Sequence, residues 1–99
     1  MTLIDTDSID EGLLAELVEL RRRIHRQPEL GLDLPLTQEA VCAALEGLGL
    51  QVRTGDGLSS VVADLDTGRP GPTILLRGDM DALPMPEDTG LEFASQVPG

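Results

Sequence analysis

The chain has 99 residues and a formal net charge of −11, with seven basic residues against eighteen acidic ones. That length allows one domain at most, and so acidic a chain offers no cationic patch with which to bind nucleic acid or an anionic membrane surface. All seven basic residues are arginine, and the absence of lysine excludes a phosphate-binding P-loop lysine and a Schiff-base mechanism.

Two helices are predicted in the first half of the chain. Residues 8–11 read as a capping box, and the apolar residues behind them recur at helical spacing, which predicts a helix over residues 9–26. Pro28 should end this helix and leave residues 28–31 as a loop. A second helix should begin near Pro35, end at Gly49, and bury one stripe of residues, namely Val41, Ala44, Leu45 and Leu48.

After Gly49 the pattern changes from helical to extended. Strands are predicted over residues 50–53, 59–65 and 73–77, and the short connection between the first two suits an antiparallel hairpin. The third run is continuously apolar, which is typical of a strand buried on both faces in an α/β sheet. Residues 84–99 hold three prolines and two glycines and should be irregular. We therefore predict an α/β fold of two helices and about three strands, with an incomplete sheet that leaves an edge unpaired.

The third predicted strand ends in two carboxylates, Asp79 and Asp81, one residue apart. Ligands and catalytic groups collect at the carboxyl ends of strands in open α/β sheets, so this pair is a candidate site. In an extended backbone both side chains would leave the same face, an arrangement suited to a divalent cation or to a shared proton. The plainer alternative is a solvated acidic loop.

Two longer segments are informative, and the second of them contains this pair. Residues 20–31 read LRRRIHRQPELG, and residues 71–84 read GPTILLRGDMDALP. Both resemble signatures of the hippurate hydrolase and N-acyl-amino-acid amidohydrolase family of metallopeptidases. Residues 44–49 and the closing TGLEFASQVPG of residues 89–99 follow the same family in the same order. The resemblance covers nearly the whole chain from about Leu13.

The resemblance implies that residues 1–99 are the amino-terminal portion of a zinc-peptidase-like catalytic domain, with no lid domain present. It implies hydrolysis of the amide bond of N-acyl amino acids or related small amides, with a divalent metal such as zinc or manganese in the full-length enzyme. In the family, the cysteine and histidine ligands and the glutamate general base follow later, so we expect this chain alone to bind no metal and to be inactive. We expect a small-molecule substrate and neither nucleic acid nor membrane as partner; a homo-oligomer stays open.

By the same resemblance, Asp81 orients a metal-ligating group, and Asp79 supports it. His25 lies within the first signature at a helix end, where a structural role is favoured over a metal ligand or base. Cys42 is the single cysteine, which excludes an internal disulfide, and is expected to be a buried, inert thiol. Arg77 should pair with Asp79 or Asp81. The acidic residues Glu87, Asp88 and Glu92 should form a solvated face.

Two other interpretations stay open at this point. Asp79 and Asp81 have the spacing of a haloacid-dehalogenase-type phosphotransferase, in which the first aspartate is the nucleophile. The chain could also be a truncated, non-catalytic remnant or interaction module. Since the amino-terminus lacks the basic and long apolar segments of a signal peptide, we expect a cytoplasmic protein.

Overall fold

The computed structural model describes residues 10–99, in which helix α1 spans Glu11–Arg26. Asp10 caps it, because its Oδ1 accepts a hydrogen bond of 2.7 Å from the backbone N–H of Gly12. The helix ends at Arg26, as predicted from Pro28, with basic residues in its last turn where they stabilise the helix dipole. The rest of the predicted capping box, including Ser8 and Ile9, lies outside the described residues.

Helix α2 spans Pro35–Leu45, so it begins where Pro35 predicts and ends four residues before the expected terminator, Gly49. Glu46 adopts an extended conformation with ψ 141°, and Gly47 follows with φ +76°, a left-handed value that ends a helix. The predicted buried stripe is wrong. Ala44 and Leu48 are exposed, and the buried residues of the described chain are Leu34, Thr37 and Ala40. Burial concentrates around the start of α2, which contacts both α1 and the hairpin.

The predicted hairpin is confirmed. Strand β1 (Gln51–Thr54) pairs antiparallel with strand β2 (Val61–Asp64), with Gln51 opposite Asp64 and Thr54 opposite Val61. The side chains of Arg53 and Asp64 form an exposed ion pair of 3.0 Å across the two strands. The paired residues are 7 to 13 positions apart in sequence.

The loop of the hairpin is held against the start of α2. Ser59 donates its backbone N–H to the carbonyl of Leu32 at 2.8 Å, and its Oγ accepts from the N–H of Leu34 at 2.8 Å. In the first turns of α2, the side-chain amide of Gln38 donates a hydrogen bond to the carbonyl of Ser60 at 3.1 Å. These bonds fix the hairpin against the turn that precedes α2.

The third predicted strand, residues 73–77, is not formed. The side chains of Ile74, Leu75 and Leu76 are 82%, 88% and 88% exposed, so the expectation of a strand buried on both faces is wrong for this chain. A strand needs a neighbouring strand for its backbone N–H and C=O groups, and in the described residues the sheet has two strands, β1 and β2. The fold is α/β with an incomplete sheet, as predicted, but with one strand fewer.

The segment after β2, residues 66–99, contains no helix or strand, which confirms the irregular structure predicted for residues 84–99. We call residues 66–99 the tail. Two backbone hydrogen bonds join it to the end of α1 and the following turn: Gln96 N–H to the carbonyl of Arg26 at 2.7 Å, and Ala82 N–H to the carbonyl of Glu29 at 2.8 Å. No helix among residues 10–99 has the length and apolar character needed to cross a membrane.

Candidate functional site

The turn after α1, residues 27–31, contacts parts of the chain that are distant in sequence. Pro28 stops the helix, and Gly31 reverses the chain with φ +71°, a left-handed conformation that favours glycine. Between them lies Glu29, whose side chain binds the start of α2 and whose carbonyl binds the tail. This turn belongs to the LRRRIHRQPELG segment. The first family-like signature therefore contacts both α2 and the tail.

The carboxylate of Glu29 lies at the amino-terminus of α2. Its Oε1 accepts hydrogen bonds from the backbone N–H of Thr37 at 2.6 Å and from the Thr37 hydroxyl at 2.7 Å, and its Oε2 accepts from the N–H of Leu36 at 3.2 Å. The cap residue of α2 is Leu34, which has no side-chain acceptor, so Glu29 satisfies amide groups that the helix itself leaves without partners.

The same contacts determine the charge state of Glu29. Desolvation by burial favours the neutral acid, but the hydrogen bonds from the Thr37 N–H, the Thr37 hydroxyl and the Leu36 N–H outweigh it and hold the pKa of Glu29 below its ordinary value. Glu29 is therefore ionised near neutral pH and brings a negative charge to the positive end of the helix dipole. The sequence predicted only a loop around Glu29, and this role was missed. The signal was present, because an apolar residue at a helix cap leaves those amides to be bound from elsewhere.

The candidate carboxylates lie beside the point where the tail meets this turn. Ala82, whose N–H binds the Glu29 carbonyl, directly follows Asp81. Asp81 is exposed and makes no hydrogen bond or ion pair within the described residues, whereas Asp79 forms an ion pair of 2.9 Å with the guanidinium of Arg77. Arg77 thus pairs with Asp79, one of the two partners considered for it. The roles expected for Asp79 and Asp81 stay predictions.

The residues that the structure describes do not assemble a metal site. No group of three or more histidine, cysteine, aspartate or glutamate side chains among residues 10–99 is arranged to hold a metal ion. His25 binds a carboxylate in the tail, and Cys42 lies on α2, partly exposed rather than buried as expected. Taken by themselves, the described residues do not fit the divalent metal that the family resemblance implies.

Glu87 is the centre of a second contact between the tail and α1. Its Oε1 lies 2.8 Å from His25 Nε2 and accepts the backbone N–H of Ser95 at 2.9 Å, while the hydroxyl of Thr89 donates to Oε2. The Glu87 side chain is only 16% exposed, so the expectation that it belongs to a solvated face is wrong; Asp88 and Glu92 are exposed as expected.

Hydrogen bonds set the ionisation of Glu87 and hold the tail in place. Those from the Thr89 hydroxyl and the Ser95 N–H, with a smaller contribution from His25, hold the pKa of Glu87 below its ordinary value against an opposing effect of desolvation. Phe93 adds to the contact: its ring centroid lies 4.4 Å from the Arg22 guanidinium carbon and 6.1 Å from the centre of the His25 ring, edge to face. His25 thus joins α1 to the tail, in agreement with the structural role favoured for it.

The chain is similar in sequence to several known proteins. No protein-family model matches the chain, and no solved structure matches it. Curated relatives do match. A Bacillus subtilis protein named as an amidohydrolase is 39% identical over 89 residues, which cover 90% of this chain and 22% of the relative. Thermostable carboxypeptidase 1 of Saccharolobus solfataricus is 44% identical over 84 residues, 84% of this chain and 21% of the relative.

A third relative is named for a deacetylation reaction. N-acetyl-L-cysteine deacetylase of Bacillus subtilis is 38% identical over 84 residues, which cover 85% of this chain and 20% of that enzyme. The three names share hydrolysis as their reaction class. The chain belongs to the hippurate hydrolase and N-acyl-amino-acid amidohydrolase family and corresponds to its amino-terminal part. It spans about a fifth of the length of the curated relatives it matches.

Proposed function

We propose that the chain is the amino-terminal portion of the catalytic domain of a metal-dependent amidohydrolase that hydrolyses the amide bond of N-acyl amino acids or related small amides. The observation that carries the proposal is the 38–44% identity with these relatives over 84–90% of the chain. The relatives' names include an amidohydrolase, a carboxypeptidase and a deacetylase of an N-acylated amino acid. The bond common to those substrates is an amide.

In this proposal the described residues contribute a scaffold and one functional carboxylate. The proposal assigns the metal ligands to other parts of the enzyme and expects the 99-residue chain alone to be inactive. Asp81 orients a group that ligates the metal, since a carboxylate that binds a ligand fixes its orientation and raises its basicity. Asp79, already paired with Arg77, has a supporting role.

The proposal is tested in a chimera of a relative. The matched segment of the Bacillus subtilis N-acetyl-L-cysteine deacetylase is replaced by the corresponding residues of this chain, and release of acetate from N-acetyl-L-cysteine is measured with the metal content of the same sample. We expect the chimera to hydrolyse N-acetyl-L-cysteine and the 99-residue chain alone to show no turnover. A folded chimera that carries metal as the parent enzyme does, yet has no hydrolytic activity, would contradict the proposal.

The phosphotransferase interpretation gains no support from the relatives, because none of the three is named for phosphate chemistry. A phosphate monoester supplied to the chain and to the chimera provides the direct comparison. We expect no phosphate release from either. Release by the chain alone, abolished by Asp79→Asn, would favour that interpretation over amide hydrolysis.

A further inference from the structure

Glu29 connects two segments that are not adjacent in sequence. Its carboxylate binds the first turn of α2 through Leu36 and Thr37, and its carbonyl oxygen accepts the N–H of Ala82, 53 positions farther along the chain. Among the described residues, the Ala82 bond is the first backbone hydrogen bond after β2 that joins the tail to residues 10–65. The residue before Ala82 is Asp81.

The carboxylate of Glu29 is held against the start of α2. Three hydrogen bonds from two residues fix the carboxylate, and Thr37, which supplies two of them, is only 2% exposed and cannot easily move. The carbonyl of the same residue accepts the N–H of Ala82, so the two polar groups of Glu29 together join the start of α2 to the tail. Glu29 thereby links the start of α2 to Ala82, the residue that follows Asp81.

We propose that Glu29 is a positioning residue for Asp81: it transmits the fixed position of the α2 amino-terminus, through its carbonyl and Ala82, to the backbone that carries the candidate functional carboxylate. This inference rests on the proposed function for the role of Asp81. The placement of Ala82 by Glu29 can be measured without any catalysis, so the two proposals can fail separately.

The first test measures amide hydrogen exchange in the 99-residue chain by NMR. In Glu29→Gln one acceptor oxygen is replaced by an NH₂ group, which turns a donor toward the amides of α2. We expect the Ala82 amide to exchange on the order of 10-fold faster while the amides of α1 and of the hairpin are unchanged, because the loss is local. Glu39→Gln is the matched control, since Glu39 is exposed on α2 and makes no hydrogen bond or ion pair within residues 10–99.

A milder pair of variants covers the case in which Glu29→Gln unfolds the chain. Thr37→Val removes one of the three donors to Glu29 and nearly conserves volume, whereas Thr37→Ser keeps the hydroxyl. We expect faster exchange of Ala82 in Thr37→Val and wild-type exchange in Thr37→Ser. An Ala82 amide that is unprotected in the wild-type chain, or equally protected in all these variants, would overturn the placement of Ala82 by Glu29.

The second test asks whether Glu29 acts through Asp81, using a double-mutant cycle in the deacetylase chimera. We expect Glu29→Gln to lower kcat by on the order of 10-fold per mole of folded, metal-loaded enzyme, and the Glu29→Gln, Asp81→Asn double variant to be no slower than Asp81→Asn alone. A merely structural Glu29 would give multiplicative losses, and that result would overturn the role. If the unsubstituted chimera is folded and carries metal but is inactive, the proposed function fails, and hydrogen exchange at Ala82 alone decides what Glu29 does.

Discussion

Residues 10–65 and the tail differ in how their backbones find hydrogen-bond partners. In the first region both helices bond within themselves, and β1 and β2 pair across a short loop. The tail has no regular element and is held at Arg26 and Glu29 by single backbone bonds and at His25 by the Glu87 contact. Helices and the hairpin, whose backbone partners are near in sequence, are therefore formed. The tail, whose partners are far away in sequence, is joined to the rest of the chain by isolated contacts only.

The apolar run of the tail shows the same difference most plainly. Val61 and Val62 belong to a paired strand, whereas the equally apolar residues Ile74, Leu75 and Leu76 are unpaired and more than 80% exposed. Strand propensity describes how well a side chain suits a sheet and does not supply the neighbouring backbone. We call residues 74–76 the exposed run, and we expect an unpaired apolar run of this kind to favour association with another strand.

The largest expected effect concerns the carboxylates that the tail presents. In the deacetylase chimera we expect Asp81→Asn to lower kcat by on the order of 10-fold to 100-fold, because the proposed function makes Asp81 the partner of a metal ligand. Asp79→Asn should cost less, because Asp79 is paired with Arg77. Steady-state kinetics on N-acetyl-L-cysteine provide the measurement. The reverse order of the two losses would contradict the assignment of Asp81.

Association of the chain is the next effect. The exposed run should drive self-association at high concentration, and Leu75→Glu should reduce it, because a charge at the centre of the run opposes burial against a second strand. Sedimentation equilibrium gives the mass as a function of concentration. Leu65→Glu is the control, since Leu65 is 70% exposed but lies outside the run. Equal effects of the two variants would show that general charge, rather than this run, governs association.

The smallest effect is a loss of stability in acid. The pKa values of Glu29 and Glu87 are lowered in the folded chain from an ordinary value of 4.5, so their contribution is fully present above that pH and is lost as the pH falls through the folded values. We expect the helical circular dichroism signal to decline below about pH 4.5. The decline should be smaller in Glu29→Gln than in Glu39→Gln. An identical pH profile in both variants would show that Glu29 makes no contribution.

The sequence predicted those elements whose signals are local. Pro28 and Pro35 marked a helix end and a helix start, and the glycine-rich turn marked the hairpin. The end of α2 was placed too late because Gly47 adopts a left-handed conformation before Gly49 does. The third strand was predicted from composition alone, although strand formation depends on a partner that composition does not reveal.

The candidate site was predictable only in part. Strand-end position and family resemblance singled out Asp79 and Asp81, and the pairing of Arg77 with Asp79 was among the expected alternatives. The roles of Glu29 and Glu87 were missed, since each depends on contacts with residues eight or more positions away in sequence, among them Thr37 and His25. Such contacts follow from the course of the chain in space and have no periodic signature in sequence.

The difference between the two regions is tested most directly by an amide hydrogen-exchange profile of the wild-type chain at a concentration where sedimentation shows a monomer. We expect protected amides in α1, in α2 and in the β1–β2 pair, and isolated protection in the tail at Ala82 and Gln96. We expect fast exchange at Ile74, Leu75 and Leu76. Continuous protection across residues 73–77 in the monomer would contradict this difference, because it would mean that the third strand forms without a partner from outside the chain.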